Sequence, residues 1–250
     1  MAFEPLAGQV VVFGTHHKSG TALLRNICEA VAQRLGLPFE LCRIEQILAG
    51  EAYARLERPC LALDTHSRLD FSKLKLPSKA LHVVRDPREI VVSGYFYHLK
   101  CSEEWCTTPH PNYEGRSYQD LLKSKSQEQG LDLELEIVAA KTLRDMLEWR
   151  VPKETQALEL QFENFLQDYE DACARMFTFA LSCTPDLLQR CIKIASHFDL
   201  KRKSRAQLEQ NSHVTNYELN PRRWEKVLSA RQLEVIKQRY GDFMRSRGYL

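Results

Sequence analysis

The stretch Val10–Arg25, VVVFGTHHKSGTALLR, opens with four consecutive β-formers, Val10, Val11, Val12 and Phe13. A short unbroken apolar run of this kind predicts a strand buried on both faces. Gly14 ends the run, and the polar loop Thr15-His16-His17-Lys18-Ser19-Gly20-Thr21 follows. Ala22, Leu23, Leu24, Ile27, Ala30 and Val31 then recur at helical spacing. The order strand, glycine-bounded basic loop, helix puts unpaired N–H groups and the positive end of a helix dipole at the loop. With the charge of Lys18 this predicts an anion site, suited to a phosphate or sulfate ester. The general nucleotide pattern G-x-x-x-x-G-K-[ST] is not matched, because Lys18 precedes the second glycine by two positions. Taken alone, the stretch also fits a plain strand-to-helix turn with an incidental lysine.

Further strands extend the pattern. Cys60-Leu61-Ala62-Leu63 reads as a second buried strand and ends in Asp64-Thr65-His66. Ala80 to Val84 reads as a third and ends in Arg85-Asp86-Pro87, with Pro87 suited to the first turn of a helix from Arg88 to about Leu99. Leu158, Leu160 and Phe162 alternate with polar residues as a fourth strand would. Strands separated by helical stretches imply a parallel sheet with right-handed crossovers. Ligands collect at the carboxyl ends of such strands. The Lys18 loop, Asp64-Thr65-His66 and Arg85-Asp86 therefore become candidates together.

The remaining helical readings are Ile44 to Arg58, Leu131 to Trp149, Asp168 to Ala180, Leu187 to Ala195, and Ser229 to Gly248. Cys101 to Arg116 reads as a long loop, and Leu200 to Arg223 as a polar, basic loop. No linker divides the chain, so residues 1–250 are expected to form a single domain.

Composition narrows the function. The net formal charge is only +2, which gives no case for bulk nucleic-acid binding, so any anion site must be local. The eight cysteines are scattered with no C-x-x-C pair, so no metal site is expected. Cys101 and Cys106 are close enough in sequence to pair, although buried thiols in a reducing compartment fit the whole set better. The N-terminus carries no signal-peptide pattern, and no apolar run approaches ~18 residues. A cytoplasmic protein without a membrane span is expected.

THHKSGT, DTH after the second strand, and VVRDPREIVVSGYFYH, in that order, resemble the sulfotransferase family that uses 3′-phosphoadenosine 5′-phosphosulfate (PAPS) as donor. LQFENFLQDYEDACARMFTFA and NPRRWEKVLS are similar to later segments of that family. The resemblance implies a P-loop-like three-layer α/β sandwich, with a central parallel sheet flanked by helices. It implies that Lys18 contacts the bridging oxygen and 5′-phosphate, with Ser19, Gly20, Thr21 and Ala22 as backbone or hydroxyl donors. Arg85 and Ser93 match the arginine and serine that hold the 3′-phosphate, and Arg222 or Arg223 matches a late basic contact to the same group. His66 aligns with the family's catalytic histidine and is expected to be the general base. Its rival is Asp64, and His16 and His17, inside the loop, could instead contact phosphate or acceptor, while His82 and His98 read as structural.

Sulfuryl transfer needs positioning and neutralisation of the leaving charge. A lysine on the bridging oxygen can supply that neutralisation without a metal, and a histidine suits the acceptor's proton. The expected reaction moves a sulfuryl group to the hydroxyl or amine of a small molecule or glycan. Trp105, Tyr113 and Tyr118 are expected near that acceptor, although ordinary packing would account for these aromatics as well. The runner-up is a non-catalytic nucleotide- or anion-binding protein on the same fold. Three positions depart from the family pattern: His17 stands where proline is usual, Leu23 where a tryptophan often stacks on adenine, and Asp64 where the family has lysine. The short C-terminal dimerisation motif of the animal enzymes is not found, so the oligomeric state stays open.

Overall fold

The structure, a computed structural model, describes residues 4–250. By internal contacts the chain falls into two compact units, one of residues 4–84 with 148–202, the other of 85–147 with 203–250.

The first unit holds the sheet. Its strands are β1 (Val10–Gly14), β2 (Phe39–Cys42), β3 (Cys60–Asp64), β4 (Ser78–Val84) and β5 (Gln156–Gln161), in the order β2-β3-β1-β4-β5. All neighbours are parallel. β1 is central, and its last residue, Gly14, pairs with Asp64 on one side and His82 on the other. The side chains alternate as a pleated strand requires. Val11, Phe13, Leu61, Leu63, Leu81, Val83 and Leu160 enter one core. They pack there with helix α1 (Thr21–Leu35) and the helices Phe162–Gln167, Tyr169–Ala180 and Pro185–Ala195. Val10, Val12, Cys60, Ala62 and Ala80 enter a second core. The short helices α2 (Ile44–Leu48) and α3 (Glu51–Arg55) supply Ile47 and Ala52 to it. A sheet covered on both faces is the three-layer arrangement that the unbroken apolar strands implied.

Several boundaries differ from the expectation. β2 was not foreseen, because its residues are only partly buried and FELC carries no apolar run. Residues 44–58 form two short helices split at Gly50, whose φ of 79° is left-handed. Phe162 opens a helix instead of ending a strand.

The second unit is helical throughout its regular elements. Its centre is α4 (Pro87–His98), capped by the Asp86 side chain accepting from Arg88 N, with Pro87 in the first turn as expected. The helix read from Leu131 to Trp149 begins at Gln127, passes through a π-helical turn at Leu135–Ala139 and ends at Glu148. Glu134, just before that turn, is buried, and its Oε2 accepts from His98 Nδ1 and Tyr118 Oη at 2.8 Å each. His98 is thus structural, as expected, and Tyr118 belongs to the packed interior. The two loops are also partly helical, at Glu104–Thr107 and Arg205–Gln210. The long C-terminal helix spans Ala230–Ser246. Every cysteine among the described residues is a free thiol, Cys101 and Cys106 included.

Candidate active site

In the first unit, the loops after β1 and β3 are joined by hydrogen bonds. Thr15 N donates to Asp64 O at 2.9 Å, and Ser67 Oγ donates to Thr15 O at 3.0 Å. The Lys18 loop is folded around His16. The His16 carbonyl accepts from Ser19 N, Ser19 Oγ and Thr21 Oγ1, each at 3.0 Å, and His16 N donates to Ser19 Oγ at 2.8 Å. Lys18 and Gly20 are both in the left-handed region, at φ 64° and 103°. Gly20 N-caps α1, where it offers no side-chain oxygen, and the first turn of α1 holds no acidic residue. The helix start therefore keeps its positive end for an outside anion. Ser19, Gly20, Thr21 and Ala22 all lie in this turn, as the sequence reading required.

The Asp64 carboxylate is enclosed by its own loop. It is 1% exposed and accepts from His66 N at 3.1 Å and Leu69 N at 2.7 Å. Burial pushes its pKa up to about 6 against four backbone N–H groups, of Leu69, His66, Arg68 and Ser67, that draw it down. Asp64 thus braces the backbone of its own loop and holds the main chain of His66 instead of its ring. The ring Nδ1 of His66 lies 2.9 Å from Thr65 Oγ1, and that hydroxyl donates to the Cys42 carbonyl at 3.4 Å. Thr65 Oγ1 thus meets both the Cys42 carbonyl and His66 Nδ1, and orients the imidazole ring.

The His16 side chain turns into the fold towards β4. It is buried, and its Nε2 lies 2.7 Å from Nε2 of His82. Burial first, then His82, His66 and Arg68, keep its pKa well below the ordinary imidazole value. Leu23, in the position of the adenine-stacking tryptophan, is packed into the core of this unit.

The second unit gathers a different group. Arg85 and Glu89 are buried, and Arg85 Nη2 donates to Glu89 Oε2 at 3.4 Å. The other Glu89 oxygen accepts Trp224 N at 2.9 Å. Burial raises the Glu89 pKa, opposed by the charges of Arg85 and Arg223. Burial likewise pushes Arg223 down to about 10, opposed by Glu89. Ser93 Oγ is 3.5 Å from Thr215 Oγ1, and Arg223 donates to the carbonyl and the hydroxyl of Thr215. The Nε of Arg223 is buried without a hydrogen-bond partner. Arg85, Ser93 and Arg223 are therefore brought to one cluster. Arg222 is on the surface, paired with Glu225. Glu89 and Thr215 were missed by the sequence reading. Glu89, four residues after Arg85 on a helix, could have been found from its spacing, whereas Thr215 reaches the cluster only through the tertiary fold.

Comparison with known proteins follows the same line. The sulfotransferase domain family model matches residues 9–248. Among solved structures, one similar fold is that of mouse sulfotransferase SULT7A1 complexed with PAP. It has a TM-score of 0.55 at 16% identity, covering 95% of this chain and 85% of that chain. Another is retinol dehydratase in complex with androsterone and inactive cofactor PAP. It has a TM-score of 0.55 at 12% identity, covering 94% of this chain and 80% of that chain. At these identities the likeness concerns the fold. A search of curated proteins returns no match.

Proposed function

This chain belongs to the sulfotransferase family and is a PAPS-dependent sulfotransferase, and we propose that Lys18, His66, Arg85, Ser93 and Arg223 carry its chemistry. The residues present fit the donor. An uncapped helix start behind Lys18 suits a 5′-phosphosulfate, and the buried, unpartnered Nε of Arg223 beside Arg85 suits a doubly charged 3′-phosphate. Lys18 neutralises the charge that develops on the leaving phosphate, while Ser19, Gly20, Thr21 and Ala22 orient it. His66 Nε2 takes the acceptor's proton as the acceptor oxygen or nitrogen bonds to sulfur and the bond from sulfur to the phosphate oxygen breaks. Arg85, Ser93 and Arg223 hold the 3′-phosphate, while Arg222 is too exposed to share that role at low dielectric cost.

The acceptor is a small molecule or a glycan. Trp105, which is 48% exposed, is the aromatic best suited to stack on it, since Tyr118 is fully buried. Among the described residues no helix is long and apolar enough to cross a membrane. A cytoplasmic location is consistent with the free thiols. Residues 1–250 act as one catalytic domain, a reading supported by a family match that runs through both compact units.

The observation that carries the assignment of the base is the contact of Thr65 Oγ1 with His66 Nδ1, which orients the imidazole ring at the end of β3. The test is sulfate transfer from labelled PAPS to a panel of phenols, amines and sugars. His66→Ala is expected to lower kcat about 10²- to 10⁴-fold while keeping affinity for PAP, the desulfated product. Lys18→Ala is expected to lose both. Wild-type turnover in His66→Ala would remove the histidine from the reaction.

A further inference from the structure

His16 and His82 are each 1% exposed and face each other through their Nε2 atoms at 2.7 Å, with the rings edge to face. His82 is itself fixed on two more sides. Its ring stacks on Trp149, with centroids 4.1 Å apart and planes 12° apart, and its Nδ1 lies 3.3 Å from Glu159 Oε2. The hydrogen-bond roles follow from chemistry. An ionised carboxylate only accepts, so His82 donates Nδ1–H to Glu159. A neutral His82 then has an accepting Nε2, and His16 supplies Nε2–H to it. The far end of this chain is the donor loop, because the His16 main chain is the hub of the turn that holds Ser19 and Thr21.

We propose that His82 is a positioning residue for sulfuryl transfer: through its ring contact with His16 it holds the Lys18 loop in the form that receives the donor's phosphates. The inference rests on reading that loop as the PAPS-binding turn. It assigns to His82, with Glu159 and Trp149 behind it, a side-chain anchor for the loop in addition to the hydrogen bonds within it. His17 stands where the family's rigid proline is usual, and the side chain of its neighbour His16 ties the loop to β4 instead. Apolar side chains could fill the same space, but only a directional pair fixes the rotation of the loop about its strand.

The contact also has a proton limit. It tolerates one extra proton, on His16 Nδ1, and fails when His82 Nε2 is protonated as well, since two N–H groups would then face each other. The charged groups that act on this pair are Glu159 against His82, and His66 and Arg68 towards His16. Donor-loop binding therefore weakens in acid through this pair.

PAP binding by titration calorimetry, with amide hydrogen exchange of residues 16–21 in the full chain, tests the proposal. His82→Leu is expected to weaken PAP binding about tenfold or more and to raise the exchange of the loop amides, with the acceptor KM unchanged. His82→Gln places an accepting oxygen near the lost Nε2 and is expected to restore affinity to within about threefold. In acid, below the ordinary imidazole range, the wild type loses more affinity than His82→Gln, whose amide stays an acceptor. Glu159→Gln, on a partly exposed side chain, is expected to move the acid midpoint of PAP binding to lower pH, and it serves if His82→Leu does not fold. Unchanged loop exchange and PAP affinity in a folded His82→Leu, equal damage from leucine and glutamine, or an unmoved midpoint in Glu159→Gln would each overturn the proposal. If wild type binds no PAP while His82→Leu still deprotects the loop, the positioning role stands and the nucleotide reading fails.

Discussion

Gly20 lies against the ring of Phe162 so closely that a Cβ on it would stand 2.5 Å from Phe162 Cδ2. The glycine is also left-handed, at φ 103°. Two separate constraints thus meet at the residue that starts α1 and closes the donor loop. Gly20→Ala is expected to cost about 2–5 kcal/mol, from backbone strain and overpacking together. Adding Phe162→Leu relieves only the steric share, so the double variant should be more stable than the sum of the two single effects. Denaturant unfolding of the four proteins measures this, and strict additivity would count against the close approach.

Thr65 Oγ1 meets the ring Nδ1 of His66 at 2.9 Å and orients it. Thr65→Val keeps the shape and removes the hydroxyl that meets Nδ1. The expected result is a fall in kcat of about tenfold with an unchanged affinity for PAP. Thr65→Ser should retain most of the turnover. Equal loss in the serine and valine variants would mean that the methyl group, and not the hydroxyl, matters.

Arg222 and Arg223 are adjacent in sequence and opposite in surroundings. Arg223→Ala is expected to weaken PAP by about tenfold to a hundredfold, the scale of a lost charge-assisted hydrogen bond. Adenosine 5′-monophosphate, which lacks the 3′-phosphate, should bind the variant and the wild type alike. Arg222→Ala, whose side chain is 67% exposed, should leave both affinities within about twofold. A nucleotide-independent loss in Arg223→Ala would instead mark it as a structural partner of Glu89.

Asp64 has a pH signature with a definite sign. Its pKa rises from an ordinary 3.8 to about 6 on folding, so the native state keeps a proton that the unfolded chain has already released. Its contribution is present below about pH 4 and lost as pH rises through about 6, a change of about 3 kcal/mol. Asp64→Asn should remove that slope while lowering stability overall, because one amide oxygen cannot serve both His66 N and Leu69 N. Its kcat should fall less than about tenfold. Unfolding and turnover measured from about pH 4 to about pH 8 give both answers. Loss of turnover as deep as that of His66→Ala would return Asp64 to the role of base.

How much of this was legible beforehand depended on how local each signal is. VVVFG, CLAL and ALHVV show their burial residue by residue, because a strand covered on both faces must be apolar at successive positions. The Lys18 turn, His66 and Arg85 could be proposed because each lies just after the end of such a strand, whereas Ser93, inside α4, came only from the family resemblance. FELC escaped notice as a half-buried outer strand. The partners of each site residue could not be read from the chain. Nothing local in the chain shows that β4 sets His82 against His16, or that the loop after β3 curls four N–H groups around the Asp64 carboxylate. Arg223 was equivalent to Arg222 until Thr215 and Glu89 closed on it. Sequence alone determined the strand-and-loop scaffold and the residue types at its ends, because burial pattern and turn chemistry are local. Only the tertiary structure decided which of those residues pair with each other, because hydrogen-bond partners come from segments far apart in the chain.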